Sequence, residues 1–275
     1  MRRGNNPTRR SRKIGMAAQG HGQANRLTIP APWNFWARLR NPIWVERTVD
    51  GRPVTIAVEP PNRGCLYSVT PDDITTVLSL LPSEHHRDIG LVALRQPSRK
   101  QETIEPVWGR LRYHVDIGHY SGPCIVIEAV RTPMRREIRH PRPLDTAEIE
   151  RLKALGHRVT QTRRGVLVES DLASIRATQL YVTLPHEVGH YVDYLEKVEN
   201  PDDLSWENEQ HRWDAYWARP VDEHEVFAHR YADDFRAAMS VRGDIPFPQD
   251  THPAALRADG LTPAWFGVNE ATDPA

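Results

Sequence analysis

Cysteine is nearly absent: Cys65 and Cys124 are the only two in 275 residues, and neither belongs to a CxxC pair. That excludes a thiolate metal site or a disulfide framework, and both are expected to be buried as small apolar side chains. Long apolar runs are missing too. No stretch approaches the roughly 18 residues of a transmembrane helix, so no membrane association of that kind is expected. Net charge is also missing, with 36 Lys and Arg against 36 Asp and Glu. The molecule as a whole therefore has no field to draw in nucleic acid or an anionic membrane. The basic N-terminus (Arg2, Arg3, Arg9, Arg10, Arg12, Lys13) leads into Gly, Gln, His and Asn instead of an apolar segment. Neither a secretory nor a twin-arginine signal fits, and the cytoplasm is the expected compartment.

What is present fits one globular domain. A chain of this length with 39% hydrophobic residues can bury one substantial core, and 23 prolines imply long irregular connections. Residues 1–26 read as a disordered basic arm, either a solvated tail (or a stretch ahead of a start at Met16) or a contact for nucleic acid or an acidic partner. Residues 27–275 read as a single domain with its core at about 53–245. Trp33, Phe35, Trp36 and Trp44, among prolines, suggest a strap packed on that domain over 27–52. Strands are expected at Pro53–Val58, Ile89–Leu94, Val107–Tyr113, Cys124–Val130 and Gly165–Glu169. Thr70-Pro71-Asp72-Asp73 opens a helix, Asp145-Thr146-Ala147-Glu148 another that stops at Gly156, and Asp171–Tyr181 a third. Strands first and paired helices later give an α+β class with a small mixed sheet. Cys124–Val130 is either an ordinary buried strand or a sheet edge to which an extended peptide adds. Arg131, Arg135, Arg136, Arg139 and Arg142 follow in a proline-bearing loop, a solvated face or a device for steering acidic substrates.

The decisive motif is His186-Glu187-Val188-Gly189-His190. On a helix, two His four apart lie about 40° apart and one turn along, so both imidazoles reach one Zn²⁺. Glu187 sits about 100° round from His186, too far to be a ligand but placed to act as general base on a water activated by the metal. From the His and Glu content the pattern is expected by chance roughly 0.04 times, which makes it a strong signal. Leu184, Val188, Val192 and Leu195 gather on the face opposite the His, as in a core helix with its ligands turned into a cleft. Pro185 requires this helix to begin at Thr183 or Leu184, or to kink. Gly189 points to close approach of a neighbouring strand or substrate.

A third protein ligand is needed. The strongest candidate is Glu225, 39 positions after His186, on a helix whose apolar stripe is Phe227, Tyr231, Phe235 and Ala238. Ala228 and Ala232 would let that helix pack against the first. Glu225 could instead answer Asp222 in a capping box, leaving Glu223 or His229 as ligand. His229 could also line the cleft or support a ligand.

His186–His190 followed by Glu225-Val226-Phe227-Ala228-His229-Arg230-Tyr231-Ala232 resembles the compact gluzincin group of zinc metallopeptidases, the minigluzincins and the lethal-factor catalytic domain. The likeness covers about 50 residues. It implies a zincin-like domain, with the HExxH helix packed on a Glu-bearing helix. It also implies one Zn²⁺ held by His186, His190 and Glu225, with Glu187 as base. Asp193 stands where the glycine of a third-His extension would fall and no third His follows, so a metzincin is disfavoured.

These readings point to a zinc metallopeptidase acting on peptide or protein substrates. Tyr231, His229 and Tyr120 are candidates for the donor to the tetrahedral oxyanion. Asp193 is a candidate for orienting a ligand imidazole, or a surface residue. Trp206, Trp213, Tyr216 and Trp217 serve helix packing or a substrate wall. The alternative is a non-catalytic zincin-fold interaction or regulatory protein. It would engage nucleic acid or a repressor-like partner, with the basic arm the one feature that invites nucleic acid.

Overall fold

The computed structural model describes residues 39–104, 107–131, 134–139, 146–199, 206–249 and 252–268, all within one compact unit beginning at Leu39. The arm expected at 1–26, the strap residues Trp33, Phe35 and Trp36, and Asp145 and Arg142 lie outside the described residues.

In chain order the elements are β1 (Ile43–Val49), β2 (Arg52–Val58), β3 (Cys65–Leu66), α1 (Pro71–Leu80), β4 (Leu91–Arg95) and α2 (Arg99–Ile104). Then come β5 (Gly109–Ile117), β6 (Tyr120–Glu128), β7 (Val130–Arg131), β8 (Met134–Arg139), α3 (Thr146–Ala154), β9 (Arg158–Thr162) and β10 (Gly165–Ser170). The remaining helices are α4 (Leu172–Thr178), α5 (Leu184–Tyr194), α6 (Trp206–Ala218), α7 (Val221–Arg242) and α8 (Pro253–Ala258). This is a mixed α+β fold.

Five strands pair in the order β1-β2-β4-β6-β5. The two inner pairings, β2–β4 and β4–β6, are parallel; the outer ones are antiparallel. Burial on both faces explains why the inner strands read as continuous apolar runs such as Leu91-Val92-Ala93-Leu94. Cys124–Glu128 lies on β6, an interior strand, and the edges among the described residues are β1 and β5. The edge reading for Cys124–Val130 is therefore wrong. Both cysteines are free and buried, and desolvation pushes the Cys124 thiol up to about 12.

Three segments differ from the sequence reading. Ile43–Val49 is strand β1, whose Val45 and Val49 enter the core. Leu256, Leu261 and Phe266 join the same core, so it reaches beyond 53–245 at both ends. The arginine-rich loop expected after Val130 includes β8, paired to β10, and Arg135 meets Glu169 at 3.0 Å. Arg135, Arg136, Glu137 and Arg139 hide the apolar alternation by which a strand is recognised.

Local signals at the helix starts hold. Thr70 caps α1 in a reciprocal box with Asp73, at 3.1 and 3.0 Å. Asp73 also takes the Arg176 guanidinium at 2.6 Å, tying α1 to α4. Asp171 caps α4 through Ser174.

His157, buried between β10 and α4, places Nδ1 2.7 Å from Ser170 Oγ and Nε2 2.7 Å from Thr178 Oγ1. Burial lowers its pKa, so the folded chain keeps it neutral while the unfolded chain protonates near pH 6.5. Above that pH neither state is charged here; below it the unfolded state takes up the proton first, and stability falls with pH. Urea unfolding at pH 7.5 and 5.5 should show wild type losing up to about 1.4 kcal/mol per pH unit more than His157→Gln. Equal slopes would refute this.

Candidate metal centre

Helix α4 does not end at Thr178. It passes through a π turn, Gln179–Thr183, into α5, and a second π turn, Leu195–Glu199, closes the run. The wide turn sits where the Pro185 ring would otherwise press on the carbonyl four residues back, Tyr181. Thus α5 does begin at Leu184, as a continuation and not a fresh start. In the bulge, buried Gln179 donates from Nε2 to the carbonyls of Trp108 (3.1 Å) and Glu128 (2.9 Å), and its Oε1 accepts from the Ser68 hydroxyl. One amide thereby fastens the metal-motif helix to the junction of β5 and β6. Nothing in the sequence marks Gln179 for that role.

The edge strand comes close because residue 109 is glycine. A Cβ there would stand 2.8 Å from both Thr183 Cγ2 and the Val126 carbonyl. The backbone groups of β5 alternate in direction: Trp108 O accepts from Glu128 on β6, whereas Leu111 N points away from the sheet and donates to Glu187 Oε2 at 2.6 Å.

Helix α7 packs on α5 at Gly189. A Cβ at 189 would meet Tyr231 Cβ at 3.0 Å and Ala228 Cα at 3.1 Å. The close neighbour is a helix, not the strand or substrate expected for this glycine. Ala228 and Ala232 are buried, as small residues at a tight helix crossing should be.

That crossing sets two i,i+4 pairs opposite each other, His186 and His190 on α5 and Glu225 and His229 on α7. Glu225 Oε2 lies 3.4 Å from His186 Nε2 and 3.8 Å from His229 Nε2. Its Oε1 lies 3.6 Å from His190 Nε2. The His190 ring is 4.5 Å from that of His186, and the His229 ring 4.6 Å. Ligand atoms of His186, Glu225 and His229 all fall within 4.8 Å of one another. Donors about 2.0–2.1 Å from a tetrahedral zinc would be roughly 3.3 Å apart, so these groups could hold one ion if the widest spacing closed by about 1.5 Å. Among the described residues His186 Nδ1, which is buried, has no hydrogen-bond partner, while Nε2 faces the cluster.

Charge follows this arrangement. Burial, reinforced by His186, pushes His190 down to about 4 and lowers His229 as well, which favours neutral imidazoles with lone pairs to give. The His186 ring within hydrogen-bonding reach holds Glu225 below the usual carboxylate range. Glu187 goes the other way: burial raises its pKa despite His186 and the Leu111 amide.

The remaining candidates separate. The Tyr231 hydroxyl pairs with His85 Nδ1 at 2.7 Å, and the Tyr120 hydroxyl receives Gly90 N at 3.1 Å and donates to the Pro123 carbonyl at 2.5 Å. Neither lines the cleft, of about 590 Å³, that the motif residues face, so the geometry does not place either as oxyanion donor. Asp193 is buried against Lys197 and Arg219, and its nearest imidazole is His224 at 3.4 Å, not a motif histidine. Glu223 turns to Arg219 at 3.2 Å. Helix α7 is entered through Pro220 with no side-chain cap, so Glu225 is not held in a capping box. The aromatics divide: Tyr216 is core, Trp217 lines the cleft, and the Trp206 side chain lies outside the described residues. Arg110, Tyr113 and His224, unmarked by any motif, also line the cleft.

Compared with protein-family models, curated proteins and solved structures, the chain matches none of them.

A methyl at residue 189 meets backbone-borne atoms that cannot swing aside. Gly189→Ala sets a helix-propensity gain of about 1 kcal/mol against an overpacking cost of about 1–3 kcal/mol. The expected net loss is up to about 2 kcal/mol in urea unfolding, together with weaker zinc binding, because α7 must move off α5 and carry Glu225 with it. Unchanged zinc affinity would refute the coupling.

Proposed function

We propose that the chain is a zinc-dependent metallopeptidase with a zincin-like domain, and that His186, His190 and Glu225 hold the ion. The observation that carries this reading is the meeting of two imidazoles from one helix with a carboxylate from another beside a desolvated Glu187. Zn²⁺, when bound, would polarise a scissile carbonyl and acidify water.

The chain's own groups supply the rest. Glu187, buried and raised in pKa, takes the proton of the attacking water and returns it to the leaving amine. Its Oε2 is fixed on the Leu111 amide, which leaves the other oxygen for proton transfer. Among the described residues strand β5 is an edge of the sheet, beside this carboxylate, and its outward backbone groups suit an extended peptide added as a further strand. Trp217 and Tyr113, ring centroids 5.0 Å apart, wall one part of the cleft and suit an apolar side chain. No described helix is long and apolar enough to cross a membrane. An intact, buried Glu187 turned onto the edge strand favours a hydrolase over a scaffold that keeps metal for structure alone.

Elemental analysis of wild type, His190→Ala and Glu225→Ala tests the site. One zinc per chain is expected in wild type, with large losses in both variants. Glu187→Gln should keep its zinc yet lose about 10²–10⁴-fold in the cleavage rate of a quenched-fluorescent peptide library. No zinc in wild type, even when it is supplied, would overturn the proposal.

A further inference from the structure

Glu225 and His229 stand in the same i,i+4 relation on α7 as His186 and His190 do on α5, and the two pairs face each other. The motif histidine His190 is not in the group whose ligand atoms all lie within 4.8 Å of one another; that group is His186, Glu225 and His229. The Nε2 of His229 is 3.8 Å from Glu225, against 3.6 Å for His190. Its ring is 4.6 Å from that of His186, against 4.5 Å for His190. The two differ in setting: the His229 side chain is 47% exposed and that of His190 13%. One is fixed beneath the cleft; the other stands at its rim with room to turn away.

We propose that His229 is a fourth protein ligand, and that the resting metal site is closed by it. This rests on the metallopeptidase reading above and goes beyond its three-ligand set. Structural zinc sites use four protein donors, whereas catalytic ones keep a position for water or substrate. Four donors here would make the resting protein latent, and His229 must give up its place before a substrate carbonyl or water can occupy it. It suits that duty because its side chain is half exposed and its helix is anchored elsewhere, through Ala228, Ala232 and Phe235 in the core. Glu148 and Arg151 of α3, which ion-pair with each other, line the same cleft.

The test uses full-length protein loaded with Co²⁺, whose visible spectrum reports the donor set, and azide as a small competing ligand. Wild type should show a four-donor spectrum that barely responds to azide. His229→Ala and the size-conserving His229→Gln should show altered spectra and bind azide at concentrations at least about tenfold lower, with zinc affinity down about tenfold or more. Identical spectra and azide responses in wild type and both variants would overturn the closed site and leave the three-ligand reading standing. Cobalt kept by His190→Ala but lost from His229→Ala would overturn it too, in favour of a three-donor site through His229. Failure of wild type to bind either Co²⁺ or Zn²⁺ would overturn both this inference and the peptidase reading.

Discussion

The site depends on one close approach, that of α7 to α5 at Gly189. Any side chain at 189 would stand 3.0–3.2 Å from Tyr231 and Ala228. A wider crossing would carry Glu225 away from His186 and His190, and the 3.4–3.6 Å spacings would open beyond the reach of one ion. Glycine in the middle of a helix costs about 1 kcal/mol against alanine. Here that cost is offset by packing that no larger residue allows, with buried Ala228 and Ala232 completing the contact from the other helix.

The second constraint joins this helix pair to the sheet. Strand β5 could drift from α5, since among the described residues it is paired on one side only. Two side chains prevent that. Gln179 grips the carbonyls of Trp108 and Glu128, and Glu187 accepts the Leu111 amide. The π turn before Pro185 brings Gln179 to the strand, and Gly109 leaves room for Thr183. Proline, glutamine and glycine, separately unremarkable, act together to set the distance between a free strand edge and a buried carboxylate.

Much of this was legible in the sequence where the cause is local. The spacing within His186–His190 requires only a helix, and capping at Thr70 requires only a neighbour three residues on. Glu225 was legible because alanines at 228 and 232 announce a tight crossing. What could not be read is long-range. That β5 and not β6 forms the edge follows from strand order, which no single strand encodes. Tyr231 shares the helix of Glu225, yet its partner His85 is 146 residues away, so its turn away from the cleft has no local signal. The Arg-rich β8 was hidden because its side chains lack apolar alternation, although its backbone pairs regularly with β10.

Helix α5 carries two buried carboxylates, Glu187 and Asp193, with opposite fates. Asp193 meets Lys197 and Arg219, and these cations hold it below the ordinary carboxylate range although burial opposes them. Through its ion pair with Arg219 it anchors the chain just before α7 begins. Glu187 has no cation in salt-bridge contact among the described residues, and burial raises its pKa. The same helix thus supplies a charge that positions α7 and a carboxylate whose burial outweighs the pull of His186, the Leu111 amide and Arg110, suited to taking up a proton. Equal burial without unequal pairing would not separate them, because desolvation alone pushes both carboxyls in one direction. The division of labour resides in the partners: Lys197 one turn beyond Asp193 and Arg219 at the mouth of α7 in direct ion pairs on one side, and a hydrogen bond from a backbone amide of the edge strand on the other.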